Sequence, residues 1–355
     1  MKNYDDVLVS IIVPVYKCET TIQKCIESIV RQTHRRIEII IILDGKADNS
    51  PQICKDNAEK DNRIKILEQD NQGVSVARNR GIDFSNGEWI IFVDGDDWIE
   101  DNCVEVLLKE AEESLCDIII SGYYIHDRNR SWKYSFFKYN NKKSFFNADD
   151  KENLLINCLI DNHVGRSSWG TNVGVPWAKL YRKSFLQKNN LTFIQGLSRM
   201  QDTIFNLYAF WYSSLTVLIP ENLYHYTFNE KSVTKSYNKD FSDIANKVLF
   251  EIQKFIDVTN SLFLNEAMWE KTVLLIYEMI QLQFLPKECT LKRIEKIKRI
   301  GSIINNPDAL FKENIKKSHT YYLTAKARFF CWLLKLHQYA IIYLFMEAKA
   351  KIKNY

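Results

Sequence analysis

The sequence predicts an α/β fold: a mostly parallel central sheet flanked by helices, followed by a C-terminal helical region. Three observations carry this. Apolar, β-branched runs at residues 7–15, 37–43, 64–67 and 90–93 alternate with helical patterns, the rhythm of βαβ units. The connections between them are short, as parallel strands with packed crossovers require. From Phe241 onward the pattern is helical only.

Taken in order, Val7 to Val15 reads as a buried strand closed by Pro14 and Tyr16. Thr20 is placed to cap the next helix, whose apolar face is Ile22, Cys25, Ile26 and Ile29. Ile37 to Leu43 is a second strand, ending in the turn-rich loop Asp44 to Ser50. Pro51 suits the first turn of a helix. Ile64 to Leu67 is a third strand, and the loop Gln69 to Gly73 leads into a helix from Val74 to Phe84. Gly81 and the Ser85-Asn86-Gly87 turn are expected to end that helix.

The fourth strand, Ile90 to Val93, runs straight into Asp94-Gly95-Asp96-Asp97. Three carboxylates this close repel one another and need a cation or donors. Hard oxygen ligands suit Mg²⁺ or Mn²⁺. A solvated acidic turn is the plainer alternative. In a parallel sheet the loops bearing Tyr16, Asp44, Asn71 and Asp94 to Asp97 open on one edge, with Arg78 close by. No Rossmann glycine fingerprint is present, and the glycines at 165 and 170 lack the P-loop lysine.

Further on, Asp117 to Tyr124 reads as a strand, residues 126–150 as a hairpin region, and Asp150 to Ile160 as a helix. Val175 to Tyr181 is apolar around one lysine, Lys179. Met200 opens a helix reaching about Ser213, with Asp202 near its start, where capping is its plainer role. Helices follow at residues 244–258, 262–284 and 291–304. After Glu313 the chain carries eight Lys or Arg and one acid, Glu347. The segment Phe329 to Met346 is apolar and aromatic but interrupted by Lys335, His337 and Gln338. It reads either as an interfacial membrane helix or as a helix packed on the preceding bundle.

The chain has 355 residues, 46% of them hydrophobic, which supports a sizeable core. A net charge of +4 gives no reason to expect nucleic acid. The eight cysteines form no CxxC pair and do not cluster with the six histidines, so neither a zinc site nor a disulfide framework is expected. The acidic start, Met1 to Asp6, does not read as a signal peptide. That makes a cytoplasmic location the expectation, with peripheral contact on the inner face of a membrane.

The ordered motifs resemble family 2 glycosyltransferases of the GT-A, Rossmann-like fold. They are Val9-Ser-Ile-Ile-Val-Pro-Val-Tyr16, Ser28-Ile-Val-Arg-Gln-Thr33, Asp44-Gly45, Asp48-Asn-Ser50, Asn71, Gly73, Ala77-Arg-Asn-Arg-Gly-Ile82 and Phe92-Val-Asp-Gly-Asp-Asp-Trp98. The match is dense over the first 115 residues or so, and thinner through Trp177 to Arg182 and Gln201-Asp202. Such a resemblance implies a hexosyltransferase that moves a sugar, with inversion, from a nucleotide-diphosphate sugar, expected to be a UDP-sugar. The acceptor it implies is a glycan, expected to be lipid-linked, in bacterial surface or capsular polysaccharide synthesis. Pro14, Tyr16 and Asp44 match positions that hold the base and ribose, and Asn71 and Arg78 match further nucleotide contacts. Asp94, Gly95 and Asp96 match the DxD motif, with Asp96 the direct ligand of a divalent cation, Mn²⁺ or Mg²⁺, and Asp94 its companion. Asp202 matches the catalytic base. Gln201 departs from the usual Glu before it, and Leu43, Lys46 and Ala47 depart from the usual nucleotide loop. The implied organisation is a nucleotide-sugar half (1–115), an acceptor half with the base (116–240) and a helical region (241–355). A nucleotidyltransferase is the first alternative, but Tyr16-Lys-Cys-Glu-Thr20 is not the glycine- and arginine-rich loop it would carry. A non-catalytic scaffold homologue is the second.

Overall fold

The computed structural model describes residues 4–127, 130–134, 143–147, 149–160, 173–228 and 236–353. The chain forms two compact units. The first comprises residues 1–158, 165–196 and 201–229, and the second is chiefly residues 230–355.

Unit one is built on a ten-stranded sheet. Its elements in order are β1 (Val9–Val15), α1 (Ile22–Val30), β2 (Ile37–Asp44), α2 (Ser50–Ala58), β3 (Ile64–Gln69), α3 (Val74–Phe84), β4 (Trp89–Phe92), β5 (Trp98–Ile99) and α4 (Cys103–Ser114). There follow β6 (Ile118–Asp127), β7 (Arg130–Tyr134), β8 (Ser144–Asn147), α5 (Glu152–Leu159), β9 (Lys179–Arg182), α6 (Lys183–Lys188), α7 (Gln201–Tyr212) and β10 (Leu215–Thr227). The sheet order is β3-β2-β1-β4-β9-β6-β10-β5, with β7 on β6 and β8 on β10. Pairings among β1 to β4 are parallel, as the βαβ rhythm requires. The second half is mixed: β9 runs antiparallel between β4 and β6, while β6 and β10 are parallel. β1, β2 and β4 are buried almost throughout, which explains their continuous apolar runs.

Glu38, buried in β2, ties this half together. It accepts hydrogen bonds from Ser10 Oγ (2.6 Å), Lys65 Nζ (2.6 Å) and the Gly87 amide (3.2 Å).

Two sequence expectations are corrected. Thr20 does not cap α1. Thr21 precedes the helix, and its hydroxyl donates to Cys18 O (3.2 Å) and Gly95 O (3.0 Å), so it links the helix start to the acidic turn. Gly81 does not end α3 but lies inside it. A Cβ there would sit 2.4 Å from Ile12 Cγ2, so glycine is needed for the helix to pack directly on β1. The hairpin expected within residues 126–150 is present only in part: β7 pairs antiparallel with β6, while β8 pairs with β10. Residues 135–137 and the glycines at 165 and 170 lie outside the described residues.

Unit two is helical: α8 (Phe241–Thr259), α9 (Leu264–Met279), a π-helical turn (Ile280–Phe284), α10 (Arg293–Ile304), α11 (Phe311–Lys317), α12 (Ala325–Lys335) and α13 (Tyr339–Lys353). The segment from 329 to 346 is therefore two helices with a break at residues 336–338. Each buries one face, through Phe330, Cys331 and Leu334 in α12 and Ile342, Tyr343 and Met346 in α13. No helix among the described residues is long and apolar enough to cross a membrane.

Candidate functional site

The acidic turn is held from below. The Val93 amide still donates to Ile12 O (3.1 Å), and the chain then leaves the sheet at its C-terminal edge. Gly95 lies against the end of β1, where a Cβ would meet Cys18 Sγ at 2.9 Å and Pro14 O at 3.3 Å. Asp97 turns inward. Its Oδ2 accepts from Tyr224 Oη (2.6 Å) and its Oδ1 from the Thr227 amide (2.7 Å). The Tyr224 hydroxyl in turn accepts from the Asp94 amide (3.2 Å). Burial, with the charges of Asp96 and Asp94 added, pushes the Asp97 carboxyl well above the carboxylate range. Of the three acids, Asp97 therefore braces the turn, while Asp94 is half-buried and Asp96 exposed.

Asp96 is exposed to solvent. Burial and the neighbouring Asp94 push its carboxyl up to about 6. No cation pairs with it among the described residues. Its charge is uncompensated, which is the situation a divalent cation relieves. No group of three His, Cys, Asp or Glu able to hold a metal occurs among the described residues. A Mg²⁺-type site of one or two carboxylates completed by substrate phosphates needs no such cage.

Arg78 connects this turn to α7. Its side chain is 3% exposed, its Nη2 donates to Asp94 Oδ1 (2.7 Å), and its Nη1 lies 3.8 Å from Asp202 Oδ1. The guanidinium lies over the Phe193 ring at 5.2 Å. Nε and Nη1 are buried without a hydrogen-bond acceptor. Burial opposes the charge, but Asp94 and Asp202 outweigh it and raise the pKa. Arg78 thus sits beneath two carboxylates rather than in open solvent.

Asp202 is the second residue of α7, inside the helix and not its cap. Its carboxyl is raised by burial, against the lowering charge of Arg78, with Asp94 raising it further. The side chain keeps 26% of its surface, enough to meet a substrate hydroxyl. Gln201 is buried, and its Oε1 has no donor.

A buried polar network supports the start of α7. Asn206 Nδ2 donates to Asp202 O (3.1 Å), Gly174 O (2.9 Å) and Val175 O (3.2 Å), and Tyr181 Oη donates to Asn206 Oδ1 (2.8 Å). Lys179 Nζ donates to Val175 O at 2.7 Å, and burial lowers its pKa to about 7. Sequence reasoning noticed Lys179 but missed Asn206, Phe193, Tyr224 and the inward turn of Asp97. The spacing of Asn206 four residues after Asp202 was the available signal.

At the other end of the crevice, Asp44 is buried and occupied. Its Oδ1 accepts from Gln69 Nε2 and the Gln72 amide (both 2.8 Å), and its Oδ2 from the Gly73 amide (2.9 Å). These bonds order the loop that carries Asn71. A Cβ at Gly45 would lie 3.3 Å from Asn71 Cβ and 3.7 Å from the Tyr16 ring, so these two side chains lie around the same glycine. Tyr16 is 42% exposed. An open cavity of about 670 Å³ lies beside them, lined by Gly45, Lys46 and Asn71 among others.

Comparison with known proteins agrees with this architecture. The family model described as glycosyl transferase family 2 matches residues 10–188. The relative named putative glycosyltransferase EpsH, of Bacillus subtilis (strain 168), is 31% identical over 323 residues, covering 90% of this chain and 88% of that one. The solved structure of S. aureus TarS in complex with UDP-GlcNAc aligns with a TM-score of 0.63 at 18% identity, covering 97% of this chain and 92% of that one. The mannosyltransferase PcManGT of Pyrobaculum calidifontis, in complex with GDP-Man and Mn²⁺, aligns with a TM-score of 0.50 at 12% identity, covering 96% and 86%. At these identities the structural likeness bears on the fold alone, which is GT-A. The family match and the extent of the likeness to EpsH together show that this chain belongs to glycosyl transferase family 2.

Proposed function

We propose that the chain transfers a sugar, with inversion, from a UDP-sugar to a hydroxyl of a lipid-linked glycan in bacterial surface polysaccharide synthesis. The observation that carries this is Asp94, beside Asp96 in the acidic turn, joined through buried Arg78 to Asp202. TarS binds UDP-GlcNAc on the same fold, which favours uridine. PcManGT binds Mn²⁺ with its donor, which favours a divalent cation.

In this reading Tyr16, Asn71 and the Asp44-ordered loop hold the nucleotide, and Pro14 and Gly95 shape the floor. Asp96, with Asp94, would hold the cation, which supplies charge stabilisation for the departing diphosphate. Asp202 accepts the proton of the acceptor hydroxyl as it attacks the anomeric carbon. One in-line displacement inverts that centre and needs no second catalytic carboxylate. Arg78 keeps Asp202 ionised and Asp94 in place. The test is a donor screen by mass spectrometry, using purified protein, Mn²⁺ and candidate nucleotide sugars. Transfer or hydrolysis of a UDP-sugar by the native chain, lost in Asp202→Asn, is the expected result. Inactivity of the native chain with every donor and acceptor offered would favour the scaffold alternative.

A further inference from the structure

Unit two contains a cavity of about 180 Å³ where the end of α10, the outer face of α11 and the α12–α13 turn meet. Four basic side chains line it, Lys312, Lys316, Lys335 and His337, and no acid does. Lys312 and Lys316 stand four residues apart on α11, where like charges destabilise a helix. The same helix places its compensated pair elsewhere, Glu313 with Lys317 at 2.5 Å. Lys335 is anchored by donating to Ser318 O (2.7 Å).

The imidazole of His337 is oriented as well. Asn305 Nδ2 donates to Tyr339 Oη (2.8 Å), so the tyrosine proton goes to His337 Nδ1 (2.8 Å). Neutral His337 then carries its proton on Nε2, as a donor. Ammonium groups and an N–H donor gathered without an anion are the chemistry of a phosphate site.

Exposed apolar residues of α12 end beside the cavity-lining Lys335 and His337. Phe329 and Trp332 are 54% and 53% exposed on α12 and their rings stack at 5.8 Å, and Leu336, at the helix's C-terminal end, is 47% exposed. Leu336 stands between Lys335 and His337, both at the cavity. On α13, Ile341, Leu344 and Phe345 are also exposed. Glu347, the one acid beyond residue 313, is occupied by Arg293 (2.9 Å).

We propose that this cavity binds the phosphate of an anionic membrane lipid, with Phe329, Trp332 and Leu336 entering the acyl layer beside it. Basic groups at headgroup depth next to aromatic and aliphatic side chains are what a surface-lying helix presents. The inference deepens the lipid-linked acceptor reading, yet vesicle binding needs no turnover, so either can fail alone.

The test uses the full chain, sedimented with phosphatidylcholine vesicles and with the same vesicles containing phosphatidylglycerol. Binding is expected only to the anionic vesicles. Lys312→Gln with Lys316→Gln should weaken it about 30-fold, at roughly fivefold per lysine. Phe329→Ala with Trp332→Ala should release the protein from vesicles while calorimetric binding of inorganic phosphate persists. Circular dichroism on each variant checks that it folds. Failure to bind anionic vesicles overturns the proposal. So does phosphate binding without vesicle binding, which would make free phosphate the ligand, and so does self-association of the chain through this face in place of vesicle binding.

Discussion

Removing the cation between the two halves of the site gives the sharpest test of the mechanism. In Arg78→Met, Asp202 loses a positive charge 3.8 Å away. At an effective dielectric constant of about 20, two unit charges at that distance interact by roughly 4 kcal/mol, worth up to about 3 pH units. Water entering the vacated space and the partial exposure of Asp202 reduce this, so a rise of about 1–3 pH units is expected. The sign follows from the proposed base role. Asp202 must be ionised to take a proton, and burial already raises its carboxyl. Without Arg78 it ionises at higher pH, and the acidic limb of kcat moves up. Arg78→Lys keeps a charge but not the two-pronged geometry, so it should restore part of the profile. The assay is kcat against pH for transfer, beside calorimetric titration with UDP. An unmoved acidic limb in a folded Arg78→Met protein would refute the coupling. A change confined to UDP affinity would make Arg78 a nucleotide contact instead.

Other substitutions probe single groups. Asp202→Asn keeps the shape but cannot accept a proton, so turnover should fall about 10²–10⁴-fold with UDP binding unchanged; near-normal turnover would remove Asp202 as the base. Gln201→Glu places a carboxylate where Oε1 has no donor, so the acidic limb should move to higher pH, and a profile that stays put would exonerate Gln201. Asp96→Asn should abolish cation-dependent transfer yet raise the melting temperature of the metal-free protein above about pH 6. The carboxyl is raised from 3.8 to about 6, so its contribution to stability is complete below the unfolded value and lost as pH rises through about 6. Equal melting temperatures at pH 8 would contradict this. Glu38→Gln should cost about 3 kcal/mol in urea denaturation at pH 7. Against the cost of burial, Lys65, Ser10 and Asn86 hold that carboxyl at about 2 rather than 4.5. The stabilisation is present above about pH 4.5 and lost as pH falls through about 2, and a loss under 1 kcal/mol at pH 7 would show that the network is worth little.

The parallel half of the sheet was legible because β1, β2 and β4 are buried on both faces and so read as unbroken apolar runs. β10 was missed. Its burial is uneven, and its register against β6 shifts twice around Asn222, which blurs any simple alternation. The insertion of β9 between β4 and β6 was equally hidden, since four residues carry too little periodicity to reveal a partner. In the site, the loop positions followed from topology: Arg78 meets Asp94, and Tyr16 and Asn71 lie together beside Gly45. Which acid turns inward was not. Asp94, Asp96 and Asp97 are chemically alike, and the choice is made by Tyr224 and Thr227, more than a hundred residues away.

That distance has a bearing on how the site comes into being. The bonds from Tyr224 to Asp97 and from Thr227 to Asp97 span 127 and 130 residues of chain. Closing such long loops is entropically costly and slow. As the chain emerges from a ribosome, residues through β4 can pair while the acidic turn still lacks its brace. Its three like charges are then free to splay, and the geometry proposed to hold a cation waits for the last strand to arrive. If the proposed cation site is real, divalent-ion affinity should accordingly appear late in refolding, after most secondary structure; affinity that appears with the first parallel strands would contradict this.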